Sequence, residues 1–433
     1  MSLIKCLCIA DAEVSPVKAD LGKIIPCRRI GSLQDHRRAS VDAIGGDELS
    51  MRSKSPDLAG ANVPSEDDYS HWVKAMMRAA AAMSDAAVLY DSTIKEPTEL
   101  LAKVVRESFG DAITDRYESV FANGNRFVAA AVAARYGVEP ENVICATGAT
   151  SAMAMAIRAF VAPGDHVIVE TPRFDLLPGL AEAAGARISY LPRRAPDFGV
   201  DPQELADLVE PRTRLVLLTH LHNPSGAALD RSALSALAGA LPDDVQIVLD
   251  EVYGDFAGPA PAGATLSPKI ISVGSLTKAQ GLFALKCGWA IASADKVEQI
   301  LAASEQGDWG VSKLSHAVAA RVLENMAPFD AHWRQLLART RPVMERHARG
   351  MIAEGLLGGD LPPHGCMYFP SVVGVSDTRA LSDWLWREHR LVVAPGEFFG
   401  LAGHVRLGFG GDADQLDRGL ARLAAALRLY RKL

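Results

Sequence analysis

Between residues 140 and 295, short apolar runs alternate with amphipathic stretches. The apolar runs lack the polar alternation of half-exposed strands, which is typical of strands buried on both faces of a parallel sheet. The amphipathic stretches have the spacing of surface helices. The pattern therefore predicts an α/β fold with a mostly parallel central sheet covered by helices. The predicted strands are residues 143–146, 166–170, 187–191, 214–219, 246–249, 269–273 and 289–292, and the predicted helices between them are residues 150–160, 176–184 and 231–240.

The chain on either side of this region has a different pattern. Residues 68–83, which are rich in alanine and methionine, predict a helix, and Glu96-Pro97 predicts the start of a second helix with Pro97 in its first turn. Mostly helical spacing after residue 295, followed by short strands, predicts a smaller α+β domain that closes over the sheet. Its predicted strands are residues 366–370, 391–394 and 404–408, and its last helix runs through residue 428.

The first 65 residues differ from the rest of the chain, because Gly, Pro, Ser and charged residues are scattered there with little period. We therefore predict a variable N-terminal extension that is loosely structured. For the remainder we predict that residues 66–115 contribute to the small domain, that residues 116–305 form the large domain, and that residues 306–433 form the C-terminal small domain.

The composition is that of an ordinary globular protein. The chain has 433 residues, of which 49% are hydrophobic, and a formal net charge of -7. This charge gives no electrostatic reason to expect nucleic acid or an anionic membrane as a partner. The sequence contains no run of about 18 apolar residues, so it predicts no membrane-spanning helix. Its first ten residues lack the cleavage pattern of a signal peptide.

The cysteine and histidine spacings give no support for a metal site. The six cysteines are few for this length and include no Cys-x-x-Cys pair, so we expect reduced thiols and a cytoplasmic location. Cys6 and Cys8 alone supply too few ligands for zinc. His220 and His222 have a ligand-like spacing, but no third ligand accompanies them, and we predict no metal. A Gly-x-Gly-x-x-Gly pattern after a strand is absent, which argues against a nicotinamide enzyme.

Residues 147–151, Thr-Gly-Ala-Thr-Ser, lie between a predicted strand and a predicted helix. Their small side chains let backbone N–H groups approach an anion, and the helix start adds its positive end. An ordinary strand–helix turn with Thr150 as N-cap has the same sequence features. Taken alone, this segment therefore fits two interpretations, an anion-binding site and a simple turn.

Asp250 ends a predicted strand, and Tyr253 follows three residues later. A buried carboxylate at this place can keep a pyridine nitrogen protonated, which makes the ring an electron sink, and a phenol can hydrogen-bond the oxygen of that ring. Asn223 lies in the turn sequence His-Asn-Pro-Ser-Gly, from which its amide can reach the same oxygen. Taken singly, each residue also fits a plain turn, with Asp250 as its cap.

Lys278, in Ser-Leu-Thr-Lys-Ala-Gln-Gly-Leu, follows another predicted strand. A lysine forms a Schiff base when its amine is neutral at the moment of attack. Ser275 and Lys286, on either side of it, can both bind a phosphate. Arg406 lies in an apolar, strand-like stretch, where its charge needs a partner. That partner is either a substrate carboxylate held by two parallel hydrogen bonds or an internal carboxylate.

Together these residues resemble the aminotransferase class I/II family, the fold-type-I pyridoxal phosphate enzymes. The resemblance extends over roughly residues 88–428 and implies an aspartate aminotransferase-like fold. It implies that Lys278 forms the Schiff base with the cofactor and moves the proton at the substrate Cα. It also implies that Asp250 pairs with the pyridine nitrogen, and that Tyr253 and Asn223 bind the ring oxygen. Phe174, in Thr-Pro-Arg-Phe, matches the aromatic residue that stacks on the ring.

The same resemblance assigns residues to the phosphate and to the substrate. Tyr117 would reach the phosphate of the partner subunit's cofactor, since family members are usually dimers with shared active sites. Arg406, together with Asn223, would bind the α-carboxylate of the substrate. Within one chain, the phosphate would be bound by Gly148, Ala149, Thr150, Ser275 and Lys286.

Three features depart from the family pattern. Lys286 stands where the family usually has arginine, so the charge remains but the two-pronged grip is lost. Ser92, in Tyr-Asp-Ser-Thr at residues 90–93, lies in the segment where a glycine commonly meets the substrate. The segment from residue 117 to residue 124 is longer than usual.

The sequence thus predicts a cytoplasmic, homodimeric, pyridoxal phosphate-dependent aminotransferase that acts on an L-amino acid and a 2-oxo acid in a ping-pong cycle. A lyase, cyclase or oxidase of specialised metabolism uses the same cofactor and stays open as the alternative. A ligand-sensing regulator is a remote alternative, in which residues 1–65 bind DNA. Those residues show neither a helix-turn-helix pattern nor a basic balance.

Overall fold

The computed structural model describes residues 69–118, 124–258, 260–304 and 310–432, in which helices and short strands alternate. In chain order, the α-helices are α1 (Tyr69–Ala81), α2 (Thr98–Phe109), α3 (Arg126–Tyr136), α4 (Ala149–Phe160), α5 (Leu176–Ala183), α6 (Pro202–Asp207), α7 (Arg231–Gly239), α8 (Ala294–Ser304), α9 (Lys313–Glu324), α10 (Ala327–Ala353), α11 (Thr378–His389) and α12 (Ala413–Tyr430). The strands are β1 (Ala87–Val88), β2 (Val143–Ala146), β3 (His166–Thr171), β4 (Arg187–Pro192), β5 (Thr213–Thr219), β6 (Gln246–Asp250), β7 (Ile270–Ser275), β8 (Gly288–Ile291), β9 (Leu357–Gly358), β10 (Met367–Tyr368), β11 (Ser371–Val372), β12 (Leu391–Val392), β13 (Ala394–Pro395) and β14 (Val405–Gly408).

Seven strands form the central sheet in the order β2-β8-β7-β6-β5-β3-β4. Neighbouring strands from β7 to β4 are parallel, whereas β8 runs antiparallel to both β7 and β2. The predicted mostly parallel sheet is confirmed, with one reversed strand inside it. The register pairs Thr219 with Asp250 and Asp250 with Val273, so β5, β6 and β7 end at the same edge of the sheet. Polar residues that follow these strands are therefore brought together.

Alternate residues of each strand face opposite helical layers, as the two-residue period of a strand requires. In β5, Leu215 and Leu217 pack with residues of α4, α5 and α8, whereas Val216 and Leu218 pack with residues of α6 and α7. Helices α3 and α9 cover β2 and β8. Because apolar helices lie on both faces, the sheet strands need apolar residues at successive positions, and this explains their unbroken apolar runs.

A smaller α+β part contains the remaining strands. β14 pairs antiparallel with β10 and β13, β1 pairs parallel with β12, and β11 pairs antiparallel with β9. Helices α10, α11 and α12 share one apolar core with these strands, apart from β13. β1 precedes the large sheet in the sequence, so segments from both sides of that sheet build this part.

The predicted strands and helices of the large sheet are confirmed to within two residues. The helix predicted at residues 68–83 is observed as Tyr69–Ala81, and the next helix begins at Thr98, so Pro97 precedes it rather than lying in its first turn. Helices α3 and α6 had no counterpart among the predictions: the sequence of α3 is apolar on nearly every side, and α6 is only six residues long. The extension predicted at residues 1–65 lies outside the described residues, and the domain boundaries stay predictions.

Candidate active site

Lys278 lies in the turn that follows β7. Its backbone carbonyl accepts a 3.1 Å hydrogen bond from Ile94 N–H, and its Nζ donates to Thr93 Oγ1 over 3.4 Å. Gly281 completes the turn with φ +70, and a Cβ there would lie 2.6 Å from the Ile94 carbonyl oxygen, so only glycine fits beside the crossing chain. These contacts fix the lysine against the segment that contains Ser92 and Thr93.

The charge balance around Lys278 favours its protonated form. Burial lowers the pKa of Lys278, whereas Tyr253 and the Asp91 carboxylate raise it. The second effect is larger than the first, so the pKa lies above its ordinary value. The Lys278 Nζ is also 5.5 Å from the centroid of the Tyr253 ring, within reach of a cation–π contact. The amine must lose this proton before it attacks a carbonyl carbon.

Asp250 is the last residue of β6 and is buried. Its Oδ1 accepts a 3.0 Å hydrogen bond from Val252 N–H. Burial raises the pKa of Asp250 to about 6, although the Val252 N–H and the Lys278 charge lower it in part. Among the described residues Asp250 has no ion-pair partner, so its carboxylate is a buried group that a cation would stabilise.

Tyr253 lies in the turn after Asp250, and its hydroxyl is 2.8 Å from Ser92 Oγ. Both side chains are buried, and burial raises the pKa of Tyr253. The phenol therefore stays protonated at neutral pH and keeps a hydrogen to donate. Ser92, in the segment at residues 90–93 that departs from the family pattern, thus contacts a predicted cofactor residue.

Arg406 and Asn223 contact each other in the interior of the protein. Arg406 Nη1 donates to Asn223 Oδ1 over 2.8 Å, and both residues are buried. Asn223 is held by its own N–H, which donates to Thr219 Oγ1 at the end of β5 over 3.0 Å. Arg406 forms no ion pair within the described part of the chain, so the internal carboxylate that the sequence left open is not found there. A buried guanidinium without an internal counter-charge is suited to bind an external carboxylate.

Three of the predicted phosphate residues, Ser275, Gly148 and Ala149, lie where three strands run side by side. Ser275 of β7 pairs with Gly288 of β8, and Gly288 pairs with Ala146 of β2. A Cβ at Gly288 would lie 2.4 Å from the Gly148 carbonyl carbon and 2.7 Å from the Ala149 nitrogen. The missing side chain therefore allows β8 to run directly beneath the turn that starts α4.

Gly148, with φ +81, is the residue before α4, and Ala149 is the first residue of the helix. The alternative with Thr150 as N-cap is therefore wrong. Gly148 occupies the N-cap position and has no side chain, so it caps none of the first N–H groups of α4, those of Ala149 and Thr150 included. Such N–H groups at the positive end of a helix are suited to bind an anion.

Lys286 has φ +48, and its Nζ is 3.4 Å from the centroid of the Phe283 ring. Burial and the nearby Lys278 charge lower the pKa of Lys286. Tyr117 contacts Phe109, at 6.1 Å between ring centroids, and Lys313 Nζ lies 4.4 Å from the Tyr117 ring. These contacts do not bring Tyr117 to the phosphate residues of its own chain, and its predicted role in a partner subunit stays a prediction.

Phe174 lies beyond β3, and its ring meets the Tyr69 ring edge-on at 6.2 Å. Tyr69 is a site residue that the sequence analysis missed, as are Thr93 and the Tyr90 carbonyl. All three are near the predicted residues only through long-range packing. The one signal in the sequence was the unusual segment at residues 90–93.

The two histidines considered as metal ligands serve the fold instead. His222 Nδ1 is 2.6 Å from Ser225 Oγ, and its Nε2 is 2.8 Å from the Pro172 carbonyl oxygen. His220 Nδ1 accepts a 3.2 Å hydrogen bond from Leu229 N–H. Burial lowers the pKa of His220 to about 4 and lowers that of His222 as well, so both are neutral at pH 7.

The arrangement fits pyridoxal phosphate on three counts. The buried Asp250 carboxylate is suited to a pyridine nitrogen that carries a proton. The close approach at Gly288 and the uncapped start of α4 are suited to a phosphate. Lys278 extends from a fixed turn toward Tyr253, the residue predicted to bind the ring oxygen.

Known proteins are similar to this chain in sequence and in fold. The family model for aminotransferase class I and II matches residues 60–423. Capreomycidine synthase from Streptomyces vinaceus is 33% identical over 70% of this chain and 79% of its own length. The arginine–pyruvate transaminase AruH from Pseudomonas aeruginosa is 28% identical over 75% of this chain and 86% of its own length. The solved structure of the PLP-dependent cyclase OrfR superposes with a TM-score of 0.72 at 25% identity, covering 88% of this chain and 100% of its own.

These matches confirm the predicted aspartate aminotransferase-like fold and the predicted cofactor, pyridoxal phosphate. The family model alone spans most of the chain, including every strand of the central sheet. The protein belongs to the aminotransferase class I and II family of pyridoxal phosphate-dependent enzymes.

Proposed function

We propose that this enzyme is an aminotransferase that moves an amino group between an L-amino acid and a 2-oxo acid in a ping-pong cycle. The observation that carries the proposal is the 2.8 Å hydrogen bond from Arg406 to Asn223. It ties the residue proposed for the substrate carboxylate to the residue proposed for the cofactor ring oxygen. A substrate held by both is oriented toward Lys278.

The proposed roles follow from the positions of the side chains. When bound, pyridoxal phosphate supplies an electron-withdrawing ring that stabilises negative charge at the substrate Cα. The Asp250 carboxylate keeps a proton on the ring nitrogen, while Tyr253 and Asn223 hold the ring oxygen. Arg406 holds the α-carboxylate. The Lys278 amine removes the proton from Cα and returns it at the C4′ atom of the cofactor.

The phosphate group and the ring face complete the proposed site. Phe174 covers one face of the ring, and the N–H groups at the start of α4 bind the phosphate together with Ser275 and Lys286. We further propose that the enzyme is a cytoplasmic homodimer in which Tyr117 reaches the partner's phosphate group. The described residues contain no helix that is long and apolar enough to cross a membrane.

A screen of amino donors against the purified, cofactor-loaded enzyme tests transamination. The expected result is conversion of the cofactor to its amine form, seen in its visible absorption, with one 2-oxo acid formed per site. Lys278→Ala should abolish both signals, and Lys103→Ala, at an exposed lysine of α2, should leave them unchanged. Full turnover by Lys278→Ala would contradict the proposal.

A cyclase or lyase is the second candidate, because the chain is similar to capreomycidine synthase and to the PLP-dependent cyclase OrfR. The Ser92–Tyr253 contact at 2.8 Å, in the segment where the family commonly has glycine, gives this candidate a structural basis of its own. Turnover that leaves the cofactor in its aldehyde form and yields no 2-oxo acid would favour the second candidate over transamination.

A further inference from the structure

Tyr69, the first residue of α1, is buried beside the proposed carboxylate site. Its ring packs at 5.5 Å from Phe399, 6.1 Å from Phe398 and 6.0 Å from Trp72, measured between ring centroids. Its hydroxyl accepts a hydrogen bond from Arg406 Nη2. The helix that carries Tyr69 is thereby joined to the residue that binds the substrate.

The N–H groups of Arg406 can be counted one by one. Among the described residues, Nη1 donates to Asn223 Oδ1, and Nη2 donates both to the Tyr69 hydroxyl and to the Tyr90 carbonyl, the latter over 3.2 Å. Nε is buried and has no partner there. A guanidinium has five N–H hydrogens. Nε therefore keeps its hydrogen available, and Nη1 keeps one of its two, whereas both Nη2 hydrogens are used.

A carboxylate that binds arginine with two parallel hydrogen bonds needs two N–H groups that point the same way. One such pair has a hydrogen from each of Nη1 and Nη2, and the other has the Nε hydrogen together with one from Nη2. Both pairs require an Nη2 hydrogen. In the observed arrangement neither pair is complete, because the Tyr69 hydroxyl and the Tyr90 carbonyl hold both Nη2 hydrogens.

Of these two acceptors, the side chain is the one that can move away. The Tyr90 carbonyl belongs to a main chain that is tied on its N-terminal side: Leu89 N–H donates to Val392 O over 2.8 Å, and Gly408 N–H donates to Leu89 O over 2.6 Å. The Tyr69 hydroxyl lies at the end of a side chain, so it can shift without moving the main chain. Tyr69 is therefore the acceptor that a carboxylate can displace from Nη2.

We propose that Tyr69 sets the affinity of the enzyme for its substrate, because its phenol and the substrate α-carboxylate compete for Nη2 of Arg406. The phenol keeps the buried guanidinium hydrogen-bonded until a carboxylate replaces it. A ligand that displaces the phenol breaks the hydrogen bond between Arg406 and Tyr69. Its carboxylate must replace that bond with hydrogen bonds of its own. The proposal rests on the proposed function only through Arg406 as the carboxylate-binding residue.

The test measures binding of 3-phenylpropanoate, a carboxylate without an amino group, to the cofactor-loaded enzyme by calorimetry. Tyr69→Phe keeps the ring and removes the competing hydroxyl, so Kd should fall by about fivefold to tenfold. An unchanged Kd would show that the phenol only packs, and a higher Kd would show that it binds the carboxylate directly. Either result, or no binding to Tyr69→Phe at all, overturns the proposal.

Two control variants separate the possible causes. Phe398→Leu loosens the packing around Tyr69 but leaves the Arg406 hydrogen bonds in place, so it should not tighten binding. If Phe398→Leu lowered the Kd as much as Tyr69→Phe does, the packing of the helix would be the cause, and the competition would be overturned. Arg406→Gln should abolish binding both in the unchanged enzyme and in the Tyr69→Phe variant. If Arg406→Gln still binds 3-phenylpropanoate, Arg406 does not bind the carboxylate, and the proposed function is contradicted on that point. If Arg406→Gln abolishes binding but Tyr69→Phe does not tighten it, only the competition is contradicted.

Discussion

Arg193 Nη1 donates a 2.7 Å hydrogen bond to Glu170 Oε2 in the interior of the protein, where both side chains are fully buried. The other oxygen of Glu170 accepts hydrogen bonds from the N–H and the hydroxyl of Thr219, at 2.9 and 2.5 Å. Thr219 Oγ1 in turn accepts the N–H of Asn223. A buried ion pair is thus connected to the residue that holds Arg406.

Glu170→Gln should strongly destabilise the protein. The change keeps the shape of the side chain but leaves the Arg193 charge buried without a counter-charge, which costs about 3–5 kcal/mol in comparable pairs. Urea unfolding measures the loss. As a control, Glu354→Gln breaks a surface pair with Arg428 and should change stability little. If the two variants lost the same free energy of unfolding, burial would not be what makes the Arg193–Glu170 pair important.

Asp250 should make the stability of the cofactor-free protein depend on pH. Burial raises its pKa from 3.8 to about 6, so the folded protein keeps this proton to higher pH than the unfolded chain does. The corresponding stability is complete below pH 3.8 and is lost as the pH rises through about 6. A difference of about two between the two pKa values corresponds to about 3 kcal/mol.

Asp250→Asn removes this titration. The cofactor-free variant should be more stable than the unchanged protein at pH 8, and the gap should close near pH 4, as thermal unfolding at several pH values will show. In the loaded enzyme the order should reverse, because the variant has no carboxylate for the cofactor's ring nitrogen. Parallel pH profiles for the two cofactor-free proteins would refute the assignment.

Gly288→Ala should weaken cofactor binding. The added methyl group would lie 2.4 Å from Gly148 and 2.7 Å from Ala149, and these contacts are backbone atoms that cannot move without shifting the start of α4. Overpacking of this kind costs about 1–3 kcal/mol. Fluorescence titration with pyridoxal phosphate measures the effect. Gly179→Ala in α5, where nothing lies within 4 Å of the new methyl group, is the matched control and should leave the cofactor affinity unchanged.

Lys286→Arg should strengthen cofactor binding, since a guanidinium can hold a phosphate with two parallel hydrogen bonds where an ammonium acts as a point charge. We expect the Kd for pyridoxal phosphate to fall by about tenfold. Lys286→Ala should raise it, and Lys296→Arg, at a lysine of α8, should leave it unchanged. If Lys286→Ala bound the cofactor normally, Lys286 would not be a phosphate residue.

The large sheet was predictable because its signals are local. Successive apolar residues in β5, β6 and β7 require cover on both faces, and this requirement identifies each strand within its own few residues. The polar residues that follow these strands were equally visible, since parallel strands that end together must bring them together. Helix α3 was missed because its apolar residues show no single face, although Asn125 caps its start through bonds to Phe127 N and Val128 N, and Gly137 ends it in the left-handed conformation.

The sequence by itself determined the fold class, the cofactor and the family, because residues such as Asp250, Lys278 and Arg406 keep a recognisable order along the chain. Only the tertiary structure decided what else surrounds Arg406. The family resemblance already placed Asn223 with Arg406 at the substrate carboxylate, but no periodicity or spacing encodes the contacts with Tyr69, which is 337 positions away. They arise when α1, β14 and the turn after β5 pack together, because burial then forces each polar group to find a hydrogen-bond partner among whatever lies nearby.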